Sequence, residues 1–122
     1  MPNWLELARE ARKAANMSVQ EGYHRAAASR AYYAAYSRVS HALAMAGLTM
    51  PVQREGPSHK RLRPLIETSM PDMDQPSRVA LSRLVGRLYT LRIDADYKPS
   101  VLVGGKESRE AASIMKTIFE AF

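Results

Sequence analysis

The chain has 122 residues, of which 46% are hydrophobic and 25% charged, so we expect one ordinary globular domain that spans residues 1–122. It has no cysteine, which excludes disulfides. It also has neither the charged-then-apolar order of a signal peptide nor an apolar run near the roughly 20 residues that cross a bilayer, and we therefore expect a cytoplasmic protein without membrane contact. Its net charge of +6 favours acidic partners such as nucleic acid, although a solvated basic surface would explain the charge equally well.

Alanine and leucine are abundant, β-branched residues are few, and glycines and prolines divide the chain into predicted helices. The first predicted helix begins at Pro2 and covers about residues 2–16. The second is long, covers about residues 20–46, and ends at Gly47. Its apolar positions recur in steps of three and four, at Ala28, Tyr32, Ala35, Val39 and Leu43.

An irregular loop is expected over residues 47–57, and three further helices follow it. The third helix begins after Ser58 as N-cap and ends near residue 67; Pro64 inside it predicts a kinked, short or partly 3₁₀ helix. The fourth covers about residues 75–96 and the fifth about residues 105–121. No segment alternates as a strand does, so the sequence predicts an all-α fold, an up-and-down bundle of about five helices.

Polar residues border the apolar stripes of the two long helices. Arg30 and Tyr33 share a face of the second helix, and Arg92 and Asp96 share a face of the fourth, which Tyr97 follows. In one interpretation Arg30 and Arg92 bind a phosphate, with the hydroxyls of Tyr33 and Tyr97 beside them.

The other interpretation is an interhelical ion pair, in which Arg30 or Arg92 meets Asp94 or Asp96 and fixes how the helices pack. We favour the ion pair, because nearby carboxylates would repel a phosphate.

Basic residues are concentrated in the middle of the chain, where Arg83 and Arg87 lie one helical turn apart. The full set is Lys60, Arg61, Arg63, Arg78, Arg83 and Arg87. Such a stripe could bind a nucleic-acid backbone, and an ordinary solvated face is at least as compatible. Because the aromatic residues fall mostly on predicted helix interiors, the sequence gives little support for stacking on bases.

Other site chemistries are poorly represented. His24, His41 and His59 do not have the spacing of metal ligands, so no metal site is predicted. No phosphate-binding glycine loop and no Ser-His-Asp arrangement occurs, and no cofactor is indicated.

Two segments resemble the signatures of small prokaryotic HEPN domains. They are residues 29–36 (Ser-Arg-Ala-Tyr-Tyr-Ala-Ala-Tyr) and residues 91–97 (Leu-Arg-Ile-Asp-Ala-Asp-Tyr), and Ser58-His59-Lys60 also matches a Ser-His pair common in that group. The resemblance implies a helical bundle that often forms homodimers and binds or cuts RNA. It also implies a possible minimal nucleotidyltransferase partner, in a toxin–antitoxin or defence pair.

The resemblance implies a ribonuclease motif as well, an arginine followed after about four to six residues by a histidine, and this sequence departs from it. No histidine follows Arg92, and Tyr97 stands at the matching position. Tyrosine, with an ordinary pKa near 10, is a poor general base at neutral pH. Arg54 and His59 have a suitable gap, but Gly56-Pro57 between them indicates a loop. His59 and Tyr97 are therefore weak candidates for a catalytic group.

Three functions stay open from the sequence. The first is a non-catalytic HEPN-like module that dimerises and binds RNA, a nucleotide or a protein partner, with Arg30, Tyr33, Arg92, Asp96, Lys60 and Arg61 as binding residues. The second is a metal-independent endoribonuclease toxin. The third is a structural helper subunit whose charges serve solubility.

Overall fold

The computed structural model describes residues 3–48 and 56–122. Within those ranges the chain forms five α-helices and no strand: α1 (Trp4–Gln20), α2 (His24–Met45), α3 (His59–Thr68), α4 (Gln75–Tyr97) and α5 (Gly105–Glu120). The predicted all-α fold of five helices is therefore confirmed. The predicted helix start at Pro2 and the Arg54 of the discarded motif lie outside the described residues.

Side-chain caps start three of the helices. The N–H of Glu6 donates to Asn3 Oδ1 at 2.9 Å at the start of α1, and the N–H of Ser77 donates to Asp74 Oδ1 at 2.8 Å at the start of α4. Ser58 Oγ accepts from the N–H of Arg61 at 3.3 Å, which confirms Ser58 as the N-cap of α3. These bonds satisfy donors that the first helical turn leaves unpaired.

Glycines in the left-handed region end α1 and α2. Gly22 has φ +74° and Gly47 has φ +92°. After α1, the N–H of Tyr23 donates to Ser18 O and that of Gly22 to Val19 O, which is the Schellman pattern, and α2 ends in the same way at Gly47. The predicted boundary between the first two helices is thus wrong. α1 continues to Gln20 and α2 begins at His24, because the chain reverses at Gly22 rather than before it.

α3 is a short helix of ten residues, as predicted, but it is α-helical throughout. The predicted alternative of a 3₁₀ segment at Pro64 is therefore wrong. Pro64 lies beyond the first turn, where its missing N–H costs one bond within the helix. Leu62 and Ile66 on either side are buried, and their burial holds this short helix in place.

α2 is the centre of the bundle and packs against the other four helices. Its alanines are buried on several faces, with Ala28, Ala31, Ala34 and Ala35 fully inaccessible to solvent. Side chains this small let neighbouring helices approach closely, which explains why α2 contains so much alanine. Larger residues of the same helix, among them Tyr32, complete the core.

α3 packs mainly on α4. The first turn of α3, the middle of α2 and the carboxyl-terminal half of α4 therefore meet on one side of the bundle. None of the helices described is both long enough and apolar enough to cross a bilayer.

Candidate functional site

Arg92 lies near the carboxyl end of α4, and its side chain is held in place by hydrogen bonds from two helices. Its Nε donates to Asp96 Oδ2 at 3.1 Å, and its Nη2 donates to Tyr33 Oη on α2 at 2.7 Å and more weakly to Tyr97 Oη at 3.4 Å. Only 8% of the residue is exposed. The spacing of four residues along the helix brings Arg92 to Asp96, as predicted.

The predicted interhelical ion pair is wrong in its geometry. Arg92 pairs with Asp96 of its own helix, while Asp94 pairs with Lys98 at 3.7 Å. The link to α2 is made by hydroxyl groups instead: Tyr33 accepts from Arg92, and Ser29 Oγ donates to Asp96 Oδ2 at 3.1 Å. A hydroxyl can both donate and accept, so these neutral groups link the two helices without a second charge.

His59 reaches the same region from the first turn of α3. Its Nδ1 lies 2.6 Å from the hydroxyl of Tyr32, a side chain that is almost fully buried. The imidazole also packs among tyrosine rings, with centroid distances of 5.0 Å to Tyr36, 5.4 Å to Tyr32 and 6.1 Å to Tyr89. The His59 residue as a whole is exposed, although its ring is oriented by these contacts from within the bundle.

The side chains of Arg92 and His59 both contact the rings of Tyr32 and Tyr33. The guanidinium carbon of Arg92 is 5.9 Å from the ring centre of Tyr32 and 5.2 Å from that of Tyr33, and His59 lies 6.1 Å from the Tyr33 ring. We call the full set the tyrosine–arginine cluster. It consists of Ser29, Tyr32, Tyr33, Tyr36, His59, Tyr89, Arg92, Asp96 and Tyr97.

The electrostatics of the cluster determine its protonation states. Burial, followed by the charge of Arg92, lowers the pKa of His59, so this imidazole is neutral at pH 7. Burial, reinforced by Tyr36, raises the pKa of Tyr32, which keeps its proton. Burial alone would lower the pKa of Arg92, but its interactions with Tyr33, Tyr97 and Asp96 outweigh this and raise it.

One edge of the Arg92 guanidinium is open. Its Nη1 makes no hydrogen bond within the described ranges. Nη1 is also not fully buried, because the only fully buried side-chain N or O atoms without a hydrogen bond in those ranges are Ser40 Oγ and Arg78 Nε. At least part of Nη1, which carries two N–H donors, is therefore in reach of solvent.

The structure places the other predicted binding residues outside this hydrogen-bond network. Arg30 is exposed and lines a groove of about 470 Å³ between α1 and α2, where it neighbours Tyr33, and it forms no bond or ion pair in the described part of the chain. Arg30 and Arg92 thus flank Tyr33 without meeting. Lys60 and Arg61 are exposed on the same turn of α3 as His59.

Three of the six residues of the predicted basic stripe already form side-chain hydrogen bonds. Arg87 forms two 2.8 Å bonds with Glu110 of α5, so it does not simply face solvent. Arg63 donates to Ser82 Oγ, and Arg78 donates to backbone carbonyls of the α3–α4 turn. Arg83 alone of this α4 group stays exposed without a bond to any described residue.

Two features of the region lack a signal in the sequence. Arg25, at the start of α2, donates to the carbonyls of Asp94 and Ala95 at 3.0 Å and so caps the end of α4. Its partners lie 69 and 70 residues away. His59 lies 27 residues from its partner Tyr32 on α2, and no local pattern encodes either separation.

The expectation that the aromatic residues lie in helix interiors is wrong for several tyrosines. Tyr32 is buried, but Tyr89 is 38% exposed and Tyr97 is 64% exposed. Both belong to the open side of the cluster, next to His59 and Arg92 respectively. Their rings are available to a ligand because each lies on the outward edge of its helix.

The described residues contain no group of three or more histidine, cysteine, aspartate or glutamate side chains that could hold a metal ion. His24 is not part of the cluster, and its Nδ1 shares a 3.0 Å hydrogen bond with Ser108 on α5. The groups that could act on a ligand here are thus a fixed guanidinium, a neutral imidazole and tyrosine rings.

The model of the family described as "HEPN domain" matches residues 1–122, the whole chain. No curated protein and no solved structure gives a significant match.

Proposed function

The chain belongs to the HEPN domain family, and from this premise we propose that it binds RNA at the tyrosine–arginine cluster. The observation that carries the proposal is the convergence of Arg92, His59 and several tyrosines from three helices on one side of the bundle. A fixed cation beside exposed rings is the combination that single-stranded nucleic acid requires.

The phosphate contact is assigned to Arg92. Asp96 and Tyr33 hold the guanidinium from one side and leave Nη1 open, so a phosphate oxygen can accept from it without disturbing these bonds. The carboxylate of Asp96 is already matched by Arg92 and by Ser29, which reduces its repulsion of a phosphate. This answers the objection that nearby carboxylates oppose an anion.

The base contact is assigned to Tyr89 and Tyr97. Their exposed rings flank the cluster, and every base offers a π face on which such rings can stack. Lys60 and Arg61 add charge on the adjoining turn of α3, and neither forms an ion pair with any residue that the structure describes. Together these residues predict sequence-tolerant binding whose affinity falls as salt rises.

Fluorescence anisotropy with a short labelled single-stranded RNA tests the proposal. Tyr97→Ala should weaken binding about tenfold, since stacking contributes about 1–3 kcal/mol per base. Lys60→Gln should weaken binding and reduce the salt slope by about 1. The matched control is Arg83→Gln, which removes an exposed charge from another part of the surface. Equal affinities for all three variants would contradict this assignment.

A second candidate function, metal-independent cleavage of RNA, is favoured by His59. The ring is oriented through Nδ1 and neutral at pH 7, and Nε2 on its opposite edge has no partner among residues 3–48 and 56–122. A neutral imidazole can accept the proton of a ribose 2′-hydroxyl, while Arg92 stabilises charge on the phosphate. His59 would thus supply the histidine that is missing after Arg92.

Incubation of labelled RNA with the protein, with and without a chelator, separates cleavage from binding. Cleavage that survives the chelator, is lost in His59→Ala and persists in Lys60→Ala would support a ribonuclease. Binding without cleavage would leave the module non-catalytic. A protein that neither binds nor cleaves RNA would fit the helper subunit instead.

We further propose that the protein acts as a homodimer with a minimal nucleotidyltransferase as partner, in a toxin–antitoxin or defence pair. The groove between α1 and α2 supports a dimer, since it exposes part of Leu7 beside Arg30 and Tyr33. Light scattering at several concentrations tests the dimer. A gene for such an enzyme next to this one would support the pairing.

A further inference from the structure

A separate cavity of about 400 Å³ lies where the carboxyl-terminal half of α2 meets the α3–α4 turn and the end of the chain after α5. Its apolar wall contains three methionines, Met45, Met70 and Met73, together with Phe122. Methionine side chains are flexible and adapt to the shape of an apolar ligand. None of the residues that line this cavity belongs to the tyrosine–arginine cluster.

The same cavity has a basic side, formed by Arg38 and His41 of α2. The guanidinium of Arg38 packs over the ring of Phe122 at 4.4 Å. Neither Arg38 nor its neighbour Arg9 on α1 forms an ion pair within the described residues. Asp72, from the α3–α4 turn, is the acidic residue in the lining, and it is exposed.

These basic groups oppose one another in the absence of an anion. Burial and then the charge of Arg9 lower the pKa of Arg38. Burial, then Arg38, then Arg9 lower the pKa of His41. An anion placed between Arg38 and His41 would relieve this repulsion, because it would be within reach of both.

We propose that this cavity binds an aliphatic carboxylate, with its head group on Arg38 and His41 and its chain among the three methionines. The planar fork of Arg38 can donate two parallel hydrogen bonds to a carboxylate. Phe122 holds the guanidinium from one face, which leaves its N–H edge for the ligand. The volume is in the range of small-molecule sites, which are mostly apolar with few polar groups.

Titration calorimetry of the full chain with decanoate tests the site. Decanoate should bind with a saturable heat at one site per chain. Acetate, which has the head without the chain, and decan-1-ol, which has the chain without the head, should each bind at least about tenfold more weakly. Absence of saturable decanoate binding, or equal binding of either control compound, would overturn the proposal.

Substitution locates the binding. Arg38→Gln should weaken decanoate binding about tenfold or more, because it removes the charged donor that the carboxylate head group requires. Arg83→Gln, the same change at an exposed site on α4, should leave the affinity within about twofold. Equal losses in the two variants would show that decanoate responds to net charge, not to this cavity.

The unmodified protein provides a readout that needs no folded variant. NMR titration of the imidazole signals should show that decanoate raises the pKa of His41, while the signals of His24 and His59 serve as internal references. The charges of Arg38 on α2 and Arg9 on α1 act on His41, and Asp72 from the α3–α4 turn lines the same cavity. An unchanged pKa of His41 at saturating decanoate would contradict the placement of the head group.

Discussion

Replacing Arg92 with alanine should destabilise the protein far more than replacing Arg87, although both arginines form ion pairs. The side chain of Arg92 is 10% exposed and that of Asp96 28%, whereas those of Arg87 and Glu110 are 47% and 36% exposed. Water screens the second pair much more strongly than the first.

The magnitudes follow from the bonds that each variant loses. Arg92→Ala removes a 2.7 Å bond to Tyr33 and a 3.1 Å bond to Asp96, and it leaves Asp96 with only Ser29 as partner from α2. Bonds to charged groups contribute about 1.5–3 kcal/mol each, and partial solvation of Asp96 offsets some of the loss. We expect a decrease of about 2–3 kcal/mol in the free energy of unfolding. Arg87→Ala should cost about 0–1 kcal/mol.

Urea unfolding followed by circular dichroism at one fixed protein concentration measures both variants. With a slope of about 1–3 kcal/mol per molar urea, Arg92→Ala should lower the midpoint by about 1 M or more, and Arg87→Ala by much less. The fixed concentration matters because dimer formation would add a term to the apparent stability. Indistinguishable midpoints for the two variants would refute the reasoning from burial.

Two further predictions concern the backbone and pH. Gly22→Ala should lower the free energy of unfolding by about 1 kcal/mol in the same urea assay, because its φ of +74° strains any residue with a Cβ, although that Cβ would meet nothing within 4 Å. An unchanged urea midpoint would contradict the strain. Stability should also fall as the pH drops below about 6.5. Folding lowers the pKa values of His59 and His41, so below that pH the unfolded chain binds protons that the folded chain does not. A urea midpoint that is the same at pH 7 and pH 5.5 would contradict this, as would a His59→Gln variant whose midpoint changes with pH as much as that of the unmodified protein.

The fold was largely predictable because its signals are local. Helical periodicity and the Ser58 cap place α3, α4 and α5 to within one residue of their predicted bounds, and Gly47 fixes the end of α2. The predicted boundary between α1 and α2 is wrong for a physical reason. The chain reverses direction at Gly22 alone, and the residues on both sides of it favour helix.

The candidate site was predictable only where its contacts are local. The spacing of Arg92 and Asp96 predicts their pairing, and the two polar faces predict the approach of Tyr33. The position of His59 depends on how α3 docks on α4, which no sequence pattern specifies. Arg30 and Arg92 each border the apolar stripe of a long helix, and this pattern predicts one shared site. The prediction fails because α2 is buried on so many sides that its polar residues point to different grooves.

Photo-crosslinking of the protein to single-stranded RNA that contains 4-thiouridine, followed by mass spectrometry of the crosslinked peptides, tests the RNA site most directly. We predict crosslinks on peptides that carry Tyr89, Tyr97 and His59, and their loss when unlabelled RNA competes. Crosslinks confined to the outer faces of α1 and α5, with none on the tyrosine–arginine cluster, would contradict RNA binding at that cluster.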